Sequence, residues 1–281
     1  MGMKEELKNL CKDLHVHYFG VAPVERFSNM PDGHKPEDLL PGAKAVIVIG
    51  VKMTKAVINA HKRVFTGGPR HMFFSFTRYG YKNINEHLDV SAFRIVDYIE
   101  SNSDYIAYPI PSAEPKDEEL YMSAFSGRYA AVAAGLAQFG WSGFAVTPKD
   151  GPRVRWSVII TDAPLEADHL YEGEQLCDPE KCKLCVKVCP VDALSADESV
   201  PVKIAGLKTG YAKRDKVLCR CATNGLVKGT PGRLQADVPE KMETMDDWYE
   251  FNKKNDPWQR MEFNHGNYCL QCMMLCPIGS K

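Results

Sequence analysis

The chain has almost no net charge: 35 Lys and Arg stand against 36 Asp and Glu, leaving −1 over 281 residues. That excludes a global pull towards nucleic acid or an anionic membrane. No apolar run is long enough to span a bilayer. Met1 to Leu10 is charged and lacks the apolar stretch of a signal peptide, and no twin-arginine signal occurs. The expectation is a soluble, cytoplasmic protein. There is no G-x-G-x-x-G dinucleotide loop and no G-x4-G-K-[ST] phosphate loop, which removes two common cofactor classes. The histidines, among them His15, His17, His34 and His265, have no metal-site spacing with carboxylates and read as structural. Acid is also missing locally. From Leu39 to Asn85 there is no Asp or Glu, while Lys44, Lys52, Lys55, Lys62, Arg63, Arg70, Arg78 and Lys82 all fall there. Such a stretch is either a solvated basic loop or a patch for an anionic ligand.

What is present is cysteine, ten in all. Cys177, Cys182, Cys185 and Cys189 lead into Pro190, and Cys269, Cys272 and Cys276 lead into Pro277. Both runs end in C-x2-C-x3-C-P, the second half of the bacterial ferredoxin signature for 4Fe–4S clusters. Thiolate is the soft ligand that iron–sulfur clusters require. The short spacing lets one turn aim several sulfurs at one cluster, while the cysteine before proline is carried towards a second. Two clusters are expected. A structural zinc site could use C-x2-C pairs, but it does not call for the same C-x3-C-P ending twice. Disulfides do not suit a reducing compartment.

Lys4 to Leu14 reads as an amphipathic helix with Leu7, Leu10, Cys11 and Leu14 on one face. Lys44 to Val51 (KAVIVIGV) reads as a buried strand. Residues 53–82, rich in Gly, Arg and aromatics, read as a long ligand-facing loop. Asn83 to Ser101 has strong helical periodicity, and Tyr105 to Ile110 suits a short strand. Ser123 to Phe139 reads as an Ala-rich helix ended by Gly140, open to close approach by a neighbouring element or a large flat cofactor. Val154 to Thr161 is a second clear strand. The fold class is therefore α/β (α+β). Residues 1–170 form one domain and 171–281 a cysteine-rich second one held together mostly by metal. Between the two runs, a polar segment with Lys208, Lys213, Arg214 and the pair Trp248-Tyr249 reads as an insertion wrapped over the clusters.

Three blocks carry a family resemblance: Ala134 to Gly143 (AGLAQFGWSG), Thr147 to Arg155 (TPKDGPRVR) and Thr161 to Leu165 (TDAPL). Standing before two ferredoxin-type runs, this order resembles the epoxyqueuosine reductase and reductive dehalogenase superfamily, from about residue 40 to 277. The resemblance implies a nitroreductase-like domain holding base-off cobalamin, followed by a ferredoxin-like domain with two 4Fe–4S clusters. It implies an oxidoreductase fed by reduced ferredoxin or flavodoxin and acting on a small molecule. Its ligand pattern puts Cys177, Cys182, Cys185 and Cys276 around one cluster. Cys189, Cys269, Cys272 and a cysteine between the runs take the other. Asp215 to Cys219 resembles the family's D-x3-C element, which favours Cys219 over Cys221. Pro179 stands where the family usually has the first cysteine, so Cys177 must reach from two residues upstream. The other common cobalamin signature, D-x-H-x-x-G, is absent, as this family's cobalt takes no protein histidine.

Departures bear on the substrate. Epoxyqueuosine reductases carry the acid of a D-S-A-P motif where this chain has Pro111 in Pro111-Ser112-Ala113. Proline cannot give up a proton, which argues, with the net charge, against a nucleic-acid substrate. Many dehalogenases carry arginine at the position of Trp141. Candidate proton donors are Tyr81 and Tyr79 beside Arg78, with Glu114 a turn beyond the missing acid and Tyr108 a weaker choice. A tyrosine beside a cation has a stabilised phenolate, but packing on a corrin or in the core is the simpler account of these rings. Gly140, Gly143 and Gly151 would let backbone approach a cofactor. Arg153 and Arg155, on one face of a strand, could contact corrin amides or a phosphate, or be solvated. Two alternatives stay open. One is a corrinoid-binding or electron-transfer protein that reduces a partner corrinoid protein; the chain's stopping just after the second run would suit such docking. The other is an iron–sulfur protein using flavin.

Overall fold

A computed structural model describes residues 2–69, 72–112, 123–223, 243–244, 246–247, 250 and 269–280. The chain runs α1 (Met3–Asp13), β1 (Tyr18–Pro23), α2 (Pro36–Leu39), β2 (Ala45–Lys52), α3 (Lys55–Phe65), α4 (Met72–Ser75), a π-helical turn (Phe76–Lys82), α5 (Asn83–Asn102) and β3 (Ala107–Ile110). Then follow α6 (Gly127–Ala133), β4 (Gln138–Phe139), β5 (Ala145–Val146), β6 (Val154–Thr161), α7 (Leu184–Lys187), β7 (Leu194–Ile204), β8 (Leu207–Arg214) and α8 (Lys216–Thr223). A last helical turn spans Gln271–Met274.

The central sheet has the order β1-β2-β6-β3, and every pair is antiparallel. Alternation sends Val46, Val48, Val158 and Ile160 to one face, and Ile47, Ile49, Val51 and Ile159 to the other. Both faces are covered, so β2 and β6 read as nearly unbroken apolar runs. On one face lie α6 and the hairpin residues Val202 and Ile204. On the other lie α1, α3, α5 and, from the second cysteine run, Met273 and Met274. Both cores therefore draw residues from beyond position 170. The cysteine-rich part is also tied on by backbone, through Ala205 N to Arg26 O (2.9 Å) and Ala212 N to Trp141 O (2.8 Å). Apolar packing and these backbone bonds hold it to the central sheet, where metal alone was expected to do most of the work.

Several local expectations change. The predicted loop over 53–82 is mainly helical. Val57, Ala60 and Val64 recur at helical spacing and bury one face of α3, a signal overshadowed by the Gly67-Gly68-Pro69 break. Its cations Lys55, Arg63 and Arg78 are exposed. The Ala-rich helix is shorter than expected, because Gly135 adopts φ 72° and ends it. Leu136 N bonds Ala131 O and Gly135 N bonds Val132 O, the paired bonds of a Schellman cap. Ala130 to Ala134 are buried against the sheet, so their smallness serves that packing and not a flat cofactor. The polar segment after the first run opens as the β7–β8 hairpin, while Trp248 and Tyr249 lie outside the described residues.

Candidate functional site

Two tight turns of helix present the cysteines. In the first run, α7 carries Cys185, with Cys182 just before it and Cys189 just after. In the second, Gln271–Met274 carries Cys272 between Cys269 and Cys276. None of the ten cysteines forms a disulfide. Their mutual electrostatics divides eight of them into two groups. Cys177 lies within range of Cys182; Cys185 senses Cys177, Cys276 and Cys182; Cys276 senses Cys177 and Cys182. Cys269 senses Cys219 and Cys189, and Cys272 senses Cys269, Cys219 and Cys189 most strongly and Cys185 beyond them. The first group is therefore Cys177, Cys182, Cys185 and Cys276, and the second is Cys189, Cys219, Cys269 and Cys272. Each joins the two runs. Cys221, two residues past Cys219, is buried beside Asp215 and senses Cys219 as well; it is the family pattern that favours Cys219 as the ligand.

Burial is the main cause that lifts these thiols, Cys185 to about 11, Cys269 to about 12 and Cys272 well above its ordinary value. A soft metal or cluster would take them as thiolates and release their protons. Backbone N–H groups already point at the sulfurs. Trp141 N donates to Cys177 Sγ at 3.3 Å and Ala193 N to Cys189 Sγ at 3.2 Å. Val186, Gln271 and Ile278 donate likewise to Cys185, Cys269 and Cys276. Eight soft donors in two groups of four, with hydrogen bonds aimed at the sulfur, fit two iron–sulfur clusters. Among the described residues no three His, Cys, Asp or Glu side chains converge closely enough to hold a single metal ion.

Arg153 and Arg155 leave the start of β6 on the same face but serve different ends. Arg153 is 3% exposed. Its guanidinium donates to the carbonyls of Cys276 (2.9 Å), Met273 (3.3 Å) and Ile278. These three bonds clamp the second cysteine run to the sheet. Gly151 joins the clamp: it has φ 59°, and a Cβ there would overlap the Ile278 carbonyl oxygen. Both residues were expected at a cofactor; the structure places them against the protein's own cysteine loop. Gly140 and Gly143 shape the turn between β4 and β5, with Gly143 against Tyr211 of β8. Trp141 donates its indole N–H to Ser195 O at 3.1 Å.

Arg155 instead turns to α5. Its Nε donates to Asn85 Oδ1 at 2.9 Å, and its guanidinium lies 4.6 Å from the centroid of the Tyr81 ring. Ser112 closes the same place. Its N–H donates to Asp89 Oδ1 (2.8 Å) and its hydroxyl to Asn85 O (3.1 Å). Tyr81, Arg155, Asn85 and the end of β3 thus meet where the π-helical turn enters α5. Such π turns recur at functional sites. Asn85 Nδ2 and Thr77 Oγ1 are buried with no hydrogen-bond partner among the described residues. A ligand rimmed with amides or hydroxyls, such as a corrinoid, would satisfy groups of this kind. Tyr79 is 58% exposed, away from this cluster, and Tyr108 is exposed on the edge strand β3. Glu114 lies outside the described residues. Asn85, Asp89 and Ser112 were not singled out in the sequence. Asn85 could have been, as a polar residue beside Ile84 on the buried stripe of α5.

Comparison with known proteins gives distant matches. No family model matches the chain. It is 29% identical to the epoxyqueuosine reductase of Bacillus cereus over 199 residues, which cover 68% of this chain and 46% of that one. It is 37% identical to the tetrachloroethene reductive dehalogenase of Sulfurospirillum multivorans over 65 residues, 23% of this chain and 13% of that one. The chain thus spans about half the length, or less, of these relatives. Among solved structures, an epoxyqueuosine reductase holding a modified tRNA stem loop superposes with a TM-score of 0.59 at 19% identity, over 99% of this chain and 65% of that one. A reductive dehalogenase studied for B12-dependent dehalogenation gives 0.52 at 16%, over 88% and 33%. These likenesses give a mixed α/β chain with the fold of those enzymes. Since one neighbour holds RNA, the fold does not enforce the expectation that nucleic acid is no partner. Among the described residues no helix is long and apolar enough to cross a membrane.

Proposed function

We propose, from the chain's distant homology to the epoxyqueuosine reductases and the reductive dehalogenases, that it is a cobalamin-dependent iron–sulfur reductase of a small substrate. The observation that carries this reading is the division of eight thiols into two groups of four, each built from both runs. Cys177, Cys182, Cys185 and Cys276 hold one 4Fe–4S cluster, and Cys189, Cys219, Cys269 and Cys272 hold the other. Residues 171–281 are the electron-carrying part and residues 1–170 the corrinoid-binding part. Electrons arrive singly from reduced ferredoxin or flavodoxin. When bound, cobalamin supplies a strongly reducing cobalt centre that can accept them and pass them to substrate.

The chain's own residues then have definite tasks. Asn85 holds Arg155 by the Nε bond, and Arg155 holds the Tyr81 ring. Its phenol is the acid of this cluster held in one place by neighbouring side chains, and Tyr81 is the proton donor to the reduced substrate. Asn85 Nδ2 and Thr77 Oγ1 bind polar groups of the cofactor rim. The Ser112 bonds fix the chain where it leaves β3 towards Glu114, the second candidate acid.

The test is metal content and a visible spectrum after anaerobic purification and incubation with cobalamin. About eight iron per chain and one cobalt in a base-off corrinoid band are expected; zinc in place of iron would sink the reading. Tyr81→Phe should slow single-turnover reduction at least about a hundredfold, the low end for one acid–base group, with cobalamin retained. A full-rate variant returns Tyr81 to a packing role. Exposed Tyr79, Val90, Phe93 and Tyr108 favour a second reading, a protein that docks and reduces a partner corrinoid protein. Eight iron without cobalt would select that one.

A further inference from the structure

We propose that Arg153 sets the potentials of the two clusters apart, by holding a buried positive charge against the cluster of Cys177, Cys182, Cys185 and Cys276. The inference rests on the ligand grouping proposed above and goes beyond it.

A guanidinium cannot shed its charge inside a protein. Arg153 is nearly fully buried, and a buried cation needs an anionic partner to offset lost hydration. Among the described residues no carboxylate forms an ion pair with it. Asp150 attracts it from farther off, and that carboxylate already accepts the Tyr18 hydroxyl at 2.5 Å. The three bonds of Arg153 go to carbonyls, the best defined being Cys276 O at 2.9 Å. The charge is therefore aimed at the backbone of one proposed ligand, and it acts on that ligand's sulfur as well.

An iron–sulfur cluster bound by four thiolates is an anion, and its reduction adds one electron and no proton. A fixed cation beside it stabilises the more negative, reduced state and raises the potential. Net charge and hydrogen bonds to sulfur are the recognised determinants of such potentials. Backbone N–H groups reach sulfurs of both clusters, so it is the charge that favours the Arg153 cluster. Its Cys177, Cys185 and Cys276 accept backbone N–H bonds. In the other, Cys189 and Cys269 do so, and the charges acting on Cys269 and Cys272 are those of other cysteines. The Arg153 cluster is thus the more easily reduced of the two, and an electron shared between them rests there.

The test is an EPR-monitored redox titration with dithionite as the one-electron donor, on the full chain after iron analysis. Arg153→Gln keeps donors and removes the charge. It should make one cluster at least about tenfold harder to reduce, a fall of about 59 mV for one electron, and leave the other in place. Arg153→Lys should hold the parent value within a few-fold. Asp150→Asn removes the opposing charge and should move the same cluster upwards. With iron retained, equal shifts of both clusters, or none, overturn the inference. If Arg153→Gln loses its iron, Asp150→Asn decides: an unmoved potential overturns the inference, and a rise in one cluster supports it. Iron far below eight in the parent protein counts against the ligand grouping itself and removes the inference with it.

Discussion

The two thiol groups come from one repeated motif and end in different surroundings. The first has an exposed member, Cys182, and a buried guanidinium bonded to the backbone of another, Cys276. The second has no fully exposed member, and burial holds its Cys269 and Cys272 thiols well above their ordinary value. The spacing C-x2-C-x3-C-P is the same in both. What differs is the layer behind it. The second run sits on the sheet through Met273 and Met274 and under Arg153, whereas α7 of the first run buries no residue fully. A motif can therefore fix which atoms are ligands while the packed layer fixes how polar and how wet each site is.

The sharpest way to break this comparison is to remove the ligand on the helical turn of the second run. Cys272→Ser should cost the whole second cluster, about four of about eight iron, because a hydroxyl is a poor soft donor and Cys272, unlike Cys182, is not at the surface where water could substitute for it. Unchanged iron would defeat the ligand scheme. Next in size is Gly151→Ala. The positive φ alone costs about 1–2 kcal/mol, and the new methyl would displace the Ile278 carbonyl that Arg153 also holds. At about 2–4 °C per kcal/mol for a chain of this order, the Tm should fall by about 4 °C or more. A parent-like Tm would mean that the clamp is not rigid.

How much of this was legible beforehand follows the same division. Strands β2 and β6 could be read to within a residue, because a strand buried on both faces is an unbroken apolar run. The grouping of thiols followed from the family pattern, and the electrostatic couplings between the two runs are compatible with it. The role of Arg153 was not legible. In sequence it is one of two arginines at a strand start, and its partners lie about 120 residues away in the chain. The helices within 53–82 were hidden by glycine and proline that in fact separate α3 from α4. The β7–β8 hairpin was hidden for another reason. Its exposed half is polar, and the residues that anchor it, Val202 and Ile204, are few.

The smallest effect expected is at the exposed ligand. Cys182 stands at the surface, beside Lys181 and Lys183, which pair with Asp178 and Asp197. Replacing it by serine leaves three thiolates of the first cluster, the N–H bonds to Cys177, Cys185 and Cys276, and the Arg153 clamp. The iron that Cys182 would hold is the one that solvent can reach. Cys182→Ser should therefore lose about one iron and keep the rest as a three-iron cluster, with its own EPR signal in the oxidised state. The contrast with Cys272→Ser is the measurement that matters. If both variants lose the same amount of iron, exposure does not separate the two sites. If Cys182→Ser loses about one and Cys272→Ser about four, the unequal surroundings of one repeated motif have a direct chemical consequence.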